Sequence, residues 1–92
     1  MMAAAVRREV TIVNRRGLHA RAAAKFVKLA GEYETDLTVA KDGMEVSGLS
    51  IMGLMMLAAA PGTVIELRAC GAQAEQAVEA VAALVASGFD ED

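Results

Sequence analysis

Val10-Thr11-Ile12-Val13-Asn14-Arg15-Arg16-Gly17-Leu18-His19-Ala20-Arg21-Ala22-Ala23-Ala24-Lys25-Phe26-Val27 changes its hydrophobic period part-way along, and that change decides the fold. Before Asn14 the residues are β-branched and alternate, as strand residues do. The spacing predicts a first strand from about Val6 to Val13, with Val10 and Ile12 inward and Arg7, Glu9 and Thr11 outward. From Ala20 to Ala30 the chain is alanine-rich and reads as a helix, with Ala23, Phe26, Val27 and Ala30 on one stripe and Gly31 placed to end it. Gly17 supplies the backbone freedom that so short a connection needs. His19, the only histidine in the chain, therefore sits where a strand hands over to a helix. There the first amides of the helix have no intrahelical acceptor and favour an anion.

Outward from this stretch the same signals repeat. Asp36–Lys41 alternates again, Asp42-Gly43 is a two-residue hairpin signal, and Met44–Ser47 forms the returning strand. Ser50 is a good N-cap for a short helix from about Ile51 to Leu57, which Pro61-Gly62 closes off with a turn. Thr63 to Ala69 alternates with Ile65, Leu67 and Ala69 inward. Gln73 to Ala86 carries a helical stripe of Ala74, Ala77, Val78, Val81, Leu84 and Val85, with Glu75 and Glu79 outward near the positive end of the helix dipole. The order β-α-β-β-α-β-α points to an α+β domain of two layers, helices on one face of an antiparallel sheet.

A chain of 92 residues, 55% of them apolar, has room for one domain with one core. The single cysteine excludes an internal disulfide and fits a reducing compartment, and Cys70, with no metal or redox partner nearby, is expected to pack inertly at the end of a strand. No apolar run is long enough to cross a bilayer, so a cytoplasmic protein without membrane insertion is expected. The apolar start Met1–Ala5 lacks a basic region before it and reads as a frayed end, not a signal peptide. Residues 89–92 are likewise expected to be frayed, with Asp90-Glu91-Asp92 a solvated tail.

Charge marks the candidate site. Arg15, Arg16, Arg21, Lys25 and Lys28 come with no acid among them in a chain of net charge −3. Arg21, Lys25 and Lys28 share one helix face, and each like-charge pair, or a cation at a helix start, costs on the order of a few tenths of a kcal/mol. A visiting anion reverses that sign. The plain alternative is a solvated basic face with a tolerated histidine. An imidazole beside guanidinium groups and free amides has a more specific use, to take and release a phosphoryl group. A metal centre is disfavoured because one histidine without neighbouring acids or cysteines is a poor ligand set. Nucleic-acid binding is disfavoured by the acidic balance and three aromatic residues. The second helix, with Ile51, Met52, Leu54, Met55, Met56 and Leu57, is apolar nearly all round. It is expected to offer partner proteins an adaptable methionine-rich patch.

Gly17-Leu18-His19-Ala20-Arg21 with Ala23-Ala24-Lys25-Phe26-Val27, and Ser50-Ile51-Met52-Gly53-Leu54-Met55, closely resemble the active-site and regulatory-serine segments of the HPr family. These are the histidine phosphocarriers of the bacterial phosphoenolpyruvate-dependent phosphotransferase system. The resemblance covers nearly the whole chain and implies an open-faced sandwich with sheet order 1-4-2-3 and three helices on one face. It implies that His19 is the phospho-acceptor through Nδ1, giving pros-phosphohistidine, that Arg21 steadies the phosphoryl group, and that the Ala20 and Arg21 amides add donors. Enzyme I is the implied donor and IIA-type proteins the acceptors, with Ser50 a candidate for HPr kinase/phosphorylase. Arg16, Ala24, Lys28, Ile51, Met52, Met55 and Met56 are the expected docking residues. The expected protein is a monomeric carrier without cofactor or metal, and not an enzyme. Two departures stand out. Ala22 replaces the family's usual proline, which removes stiffness from the first helical turn but no reacting group. Arg15-Arg16 looks more like the nitrogen-regulatory branch, so a regulatory phosphoprotein without sugar transport is the alternative output.

Overall fold

The computed structural model describes residues 5–91. Its elements run β1 (Val6–Thr11), α1 (Ala20–Ala30), β2 (Asp36–Lys41), β3 (Met44–Ser47), α2 (Ile51–Met56), β4 (Val64–Cys70) and α3 (Ala74–Ala86). The strands form one antiparallel sheet in the order β1-β4-β2-β3, and the three helices cover one face, as the sequence pattern and the resemblance together lead one to expect. At the β2–β3 turn Asp42 and Gly43 both have positive φ, 51° and 83°, which suits the twist of a tight hairpin and sets Lys41 opposite Met44.

Alternation carries the core. Leu37 and Val39 from β2, and Ile65, Leu67 and Ala69 from β4, are buried against Phe26, Ala22 and Ala23 of α1 and Val78, Val81 and Val85 of α3. In α1 the buried stripe is Ala22, Ala23, Phe26 and Ala30, with Val27 only partly covered. β1 ends two residues before Val13 because its partner β4 begins at Val64, opposite Thr11. Ile12 is nevertheless fully buried, tied by its amide to the Thr63 carbonyl and by its carbonyl to the Gly62 amide, while Val13 is exposed. Leu57 is the C-cap of α2 and Gln73 the N-cap of α3, each one residue from the boundary read in the sequence.

Two expectations are corrected. Cys70 does not pack inside; the two-residue period that buries Ala69 turns Cys70 outward, and its thiol is exposed. The tail is not solvated from residue 89. Phe89 is fully buried in the main core, its amide bonds to the Leu84 carbonyl at 2.9 Å, and Glu91 N–H reaches the Gly88 carbonyl at 3.1 Å. Gly88, Phe89 and Asp90 have φ values of 70°, 59° and 58°, a left-handed run that reverses the chain after α3. Each non-glycine residue in that region costs about 1–2 kcal/mol, and burying a phenylalanine returns about 1.5–3 kcal/mol. Residues 1–4 and 92, also expected to be frayed, lie outside the described residues.

Candidate functional site

The loop that presents His19 is held from both sides. Gly17 adopts φ +63°, its amide bonds to the Asn14 carbonyl at 3.1 Å, and the next amide, Leu18, bonds to the Ala59 carbonyl beyond α2 at 3.0 Å. A Cβ on Gly17 would stand 2.2 Å from the Ala59 oxygen, so only glycine fits both the conformation and the space. This contact ties the His19 loop to the segment after α2. His19 follows as the N-cap of α1, in extended conformation, and its carbonyl accepts the Ala23 amide at 2.9 Å. The Ala20 and Arg21 amides precede that first intrahelical bond and have no acceptor within the helix. Arg15, Arg16, Arg21 and Glu91 line one groove, and Arg16, Leu18, His19, Met55, Ala58, Ala59 and Ala60 line another.

The imidazole is held at one nitrogen. Its Nε2 lies 2.9 Å and 3.1 Å from the two carboxylate oxygens of Glu91, and Nδ1 has no hydrogen-bond partner among the described residues. His19 is therefore less exposed than a turn position implies, its side chain keeping 16% of its accessible surface. Asn14 is buried, and its Nδ2 donates to both the Gly17 carbonyl and Glu91 Oε1, each at 2.8 Å. Lys25 donates from Nζ to the Phe89 carbonyl at 2.6 Å. The Asn14 amide, then the His19 ring, hold the Glu91 carboxyl below the usual carboxylate range. An ionised carboxylate only accepts hydrogen bonds, so the neutral ring is assigned its proton on Nε2 and a lone pair on Nδ1. An unpartnered ring nitrogen thus stands at a helix start, and Arg15, Arg16 and Arg21 line the groove that also holds Glu91.

A family model described as "PTS HPr component phosphorylation site" matches residues 6–87. The chain is 45% identical over 86 residues to the phosphocarrier protein HPr of Neisseria meningitidis serogroup B, covering 94% of this chain and 97% of that protein. It is 43% identical over 84 residues to the phosphocarrier protein NPr of Shewanella violacea, covering 91% and 92%. Among solved structures it is similar to an HPr from Thermoanaerobacter tengcongensis, with a TM-score of 0.90 and 39% identity over 95% of this chain and 98% of that one. A structure described as an HPr dimer from the same organism gives a TM-score of 0.76 and 41% identity, covering 89% and 94%. The chain belongs to the HPr family of phosphocarrier proteins. Its topology puts the start of α1 beside the segment after α2.

On this HPr frame the sequence-derived candidates separate into groups. His19, Arg16, Arg21 and Met55 line the two grooves just described. Ala24 and Lys28 are exposed further along α1, outside the contacts of the imidazole. In α2, Ile51, Met52, Met55 and Met56 keep 40%, 72%, 40% and 65% of their surface, whereas Leu54 and Leu57 are buried, so the helix is half core and half open apolar face. Ser50 caps α2, its Oγ accepting the Gly53 amide at 2.9 Å. Ala22, where the family usually has proline, is fully buried in the first turn of a helix that begins at Ala20 regardless. Sequence reasoning missed Asn14, Phe89 and Glu91 as parts of the site, and placed Lys25 in the cationic cluster without its bond to the Phe89 carbonyl. Phe89 was the available signal, because a large aromatic in an otherwise polar tail needs somewhere to pack. Among the described residues no group of three or more histidine, cysteine or acidic side chains is placed to hold a metal, and no helix is long and apolar enough to cross a membrane.

Proposed function

We propose that this HPr-family protein relays a phosphoryl group, accepting it on His19 Nδ1 from phosphorylated Enzyme I and passing it to IIA-type proteins in the cytoplasm. The observation that carries this reading is the imidazole itself, tied through Nε2 to Glu91 and free at Nδ1. The Nδ1 lone pair attacks phosphorus, the bond from phosphorus to the donor atom breaks, and that electron pair stays with the donor. Transfer onward reverses the roles, the N–P pair returning to Nδ1. Arg21 and the Ala20 and Arg21 amides stabilise the charge on the phosphoryl oxygens. Exposed contacts suit a carrier, since stabilisation must be greater in the transfer state than in the loaded state.

The open face of α2, Ile51, Met52, Met55 and Met56, together with Arg16, Ala24 and Lys28, docks the partners, and the chain acts as a monomer without a cofactor. HPr kinase/phosphorylase is the proposed modifier of Ser50. Phosphate at that cap is tolerated by the helix start but places about −2 charges beside an apolar docking face, which slows loading of His19. Arg15 and Arg16, which line the groove with Arg21 and Glu91, favour a second reading: a regulatory carrier of the nitrogen branch that binds targets according to its phosphorylation state.

The test is incubation with Enzyme I and labelled phosphoenolpyruvate. Acid-labile phosphate is expected on the wild type and not on His19→Ala. Label retained in His19→Ala would defeat the proposal. Offering sugar-type and nitrogen-type IIA acceptors to the loaded protein in competition then separates the two outputs.

A further inference from the structure

We infer that Glu91, carried on a strap built from Phe89, Lys25 and Asn14, is the positioning residue for His19. It fixes the ring's orientation and tautomer so that Nδ1 faces the phosphoryl donor, and it supplies the counter-charge when the phosphorylated ring becomes cationic. This inference rests on the carrier function proposed above and assigns a role to a segment outside the α1 motif. Four observations converge on it. Both Glu91 oxygens engage the same ring nitrogen, at 2.9 Å and 3.1 Å. One of those oxygens also accepts from Asn14, whose amide simultaneously holds the Gly17 carbonyl, so the strap and the His19 loop share one buried residue. Lys25, on the same helix that begins at His19, clamps the Phe89 carbonyl at 2.6 Å. Phe89 and Asp90 remain in the left-handed region, a conformation that a free tail would abandon.

The chemistry gives the carboxylate a use. When Nδ1 bonds to phosphorus and the donor leaves with its electron pair, no proton moves, and the Nε2–H that remains now belongs to a positively charged ring. Glu91 accepts that N–H before and after transfer, so the loaded ring is held in place and paired with a negative charge. When the acceptor takes the phosphoryl group, the N–P pair returns to Nδ1 and the ring regains its starting tautomer. A carboxylate that fixes an imidazole by hydrogen bonding at the non-reacting nitrogen acts through the histidine and never touches phosphorus. Arg15, Arg16 and Arg21 in the adjoining groove, and Lys25 on α1, are the cations that share its field.

The experiment uses the full-length chain labelled with ¹⁵N, reading the two ring nitrogens of His19 by long-range proton–nitrogen correlation and, separately, the rate of His19 labelling by saturating Enzyme I. The wild type is expected to show one neutral tautomer, with the proton on Nε2. Glu91→Ala is expected to give averaged ring signals and labelling slower by about tenfold, the lower end of the roughly 10–100-fold loss when a metal-ligating histidine loses the partner that orients it. Glu91→Gln keeps an acceptor oxygen and loses the charge, so it should retain the tautomer with an intermediate rate. Lys25→Met leaves Glu91 present but loosens the strap, and should shift the ring signals in the direction of Glu91→Ala. Wild-type ring signals and a wild-type rate in Glu91→Ala would overturn the inference, as would lowered stability with an unchanged tautomer. If the wild type takes no label at all, the carrier function falls, and the ring signals still decide whether Glu91 holds His19.

Discussion

Replacing Gly17 with alanine should be among the most damaging single-methyl additions in the chain. Two effects add. Gly17 has φ +63°, where a Cβ costs about 1–2 kcal/mol, and that Cβ would lie 2.2 Å from the Ala59 oxygen and 3.2 Å from the Ala59 carbonyl carbon and Ala60 Cα. These are backbone atoms, so no rotamer change relieves the overlap. The loop and the segment after α2 must separate, which breaks the Leu18 N–H to Ala59 carbonyl bond, worth about 1 kcal/mol, and leaves a buried donor costing about 1–3 kcal/mol unless water reaches it. The expected loss is on the order of 3–6 kcal/mol, a large share of the roughly 5–15 kcal/mol that stabilises an ordinary domain. Gly43→Ala is the control: its φ is +83°, but nothing lies within 4 Å of an added Cβ, so it should cost only the conformational part, about 1–2 kcal/mol. Urea unfolding of the two variants, compared at constant slope, isolates the contact with Ala59. Equal losses for both variants would refute the claim that this close approach locks the His19 loop.

Met52, 72% exposed, should tolerate Met52→Glu within about 0.5 kcal/mol of stability while binding to Enzyme I weakens, measurable by calorimetry; unchanged binding would remove α2 from the docking face. Ser50→Ala should cost about 1 kcal/mol by removing the Gly53 cap, visible in urea unfolding, and label at the wild-type rate, whereas Ser50→Asp should label more slowly. Arg21→Ala should slow transfer with saturating partner more than Lys28→Ala, which lies two turns along α1; equal rates would deny Arg21 a part in transfer. The Glu91 carboxyl is held below its unfolded value by Asn14 and then His19, so its contribution is present above the ordinary carboxylate pKa and is lost as pH falls through the lower folded value. The Phe89 ring signals should therefore report a docked strap at about pH 4.3, the unperturbed glutamate value, and its release only in stronger acid, a step absent in Glu91→Gln.

Much of the fold was legible because each element announced itself locally. Asp42-Gly43 fixed the β2–β3 turn, the two-residue alternation of Ile65, Leu67 and Ala69 fixed the inner face of β4, and Ser50 marked the start of α2. The sheet order was not local information; it came from the HPr resemblance, since nothing in the pattern says that β4 lies between β1 and β2. At the site, His19, the arginines and the open face of α2 could be read from charge and composition. The strap could not. Polar termini of the Asp-Glu type are usually solvated, and the bond between Glu91 and His19 joins positions 72 residues apart. The burial of Phe89, with the Lys25 and Asn14 bonds, is a three-dimensional fact, and it brings them together. Cys70 shows the converse error: the lack of a metal or redox partner was read as inert packing, and strand period turned the residue outward.

The measurement closest to the central claim is the position of the phosphate after loading. The wild-type chain is incubated with Enzyme I and phosphoenolpyruvate, and the product is examined by ³¹P and ¹H–¹⁵N spectroscopy under alkaline conditions that preserve phosphohistidine. The account predicts one phosphoryl group on His19, bonded to Nδ1, with the proton retained on Nε2. Phosphate bonded to Nε2, the nitrogen that Glu91 holds, or found on any residue other than His19, would contradict it.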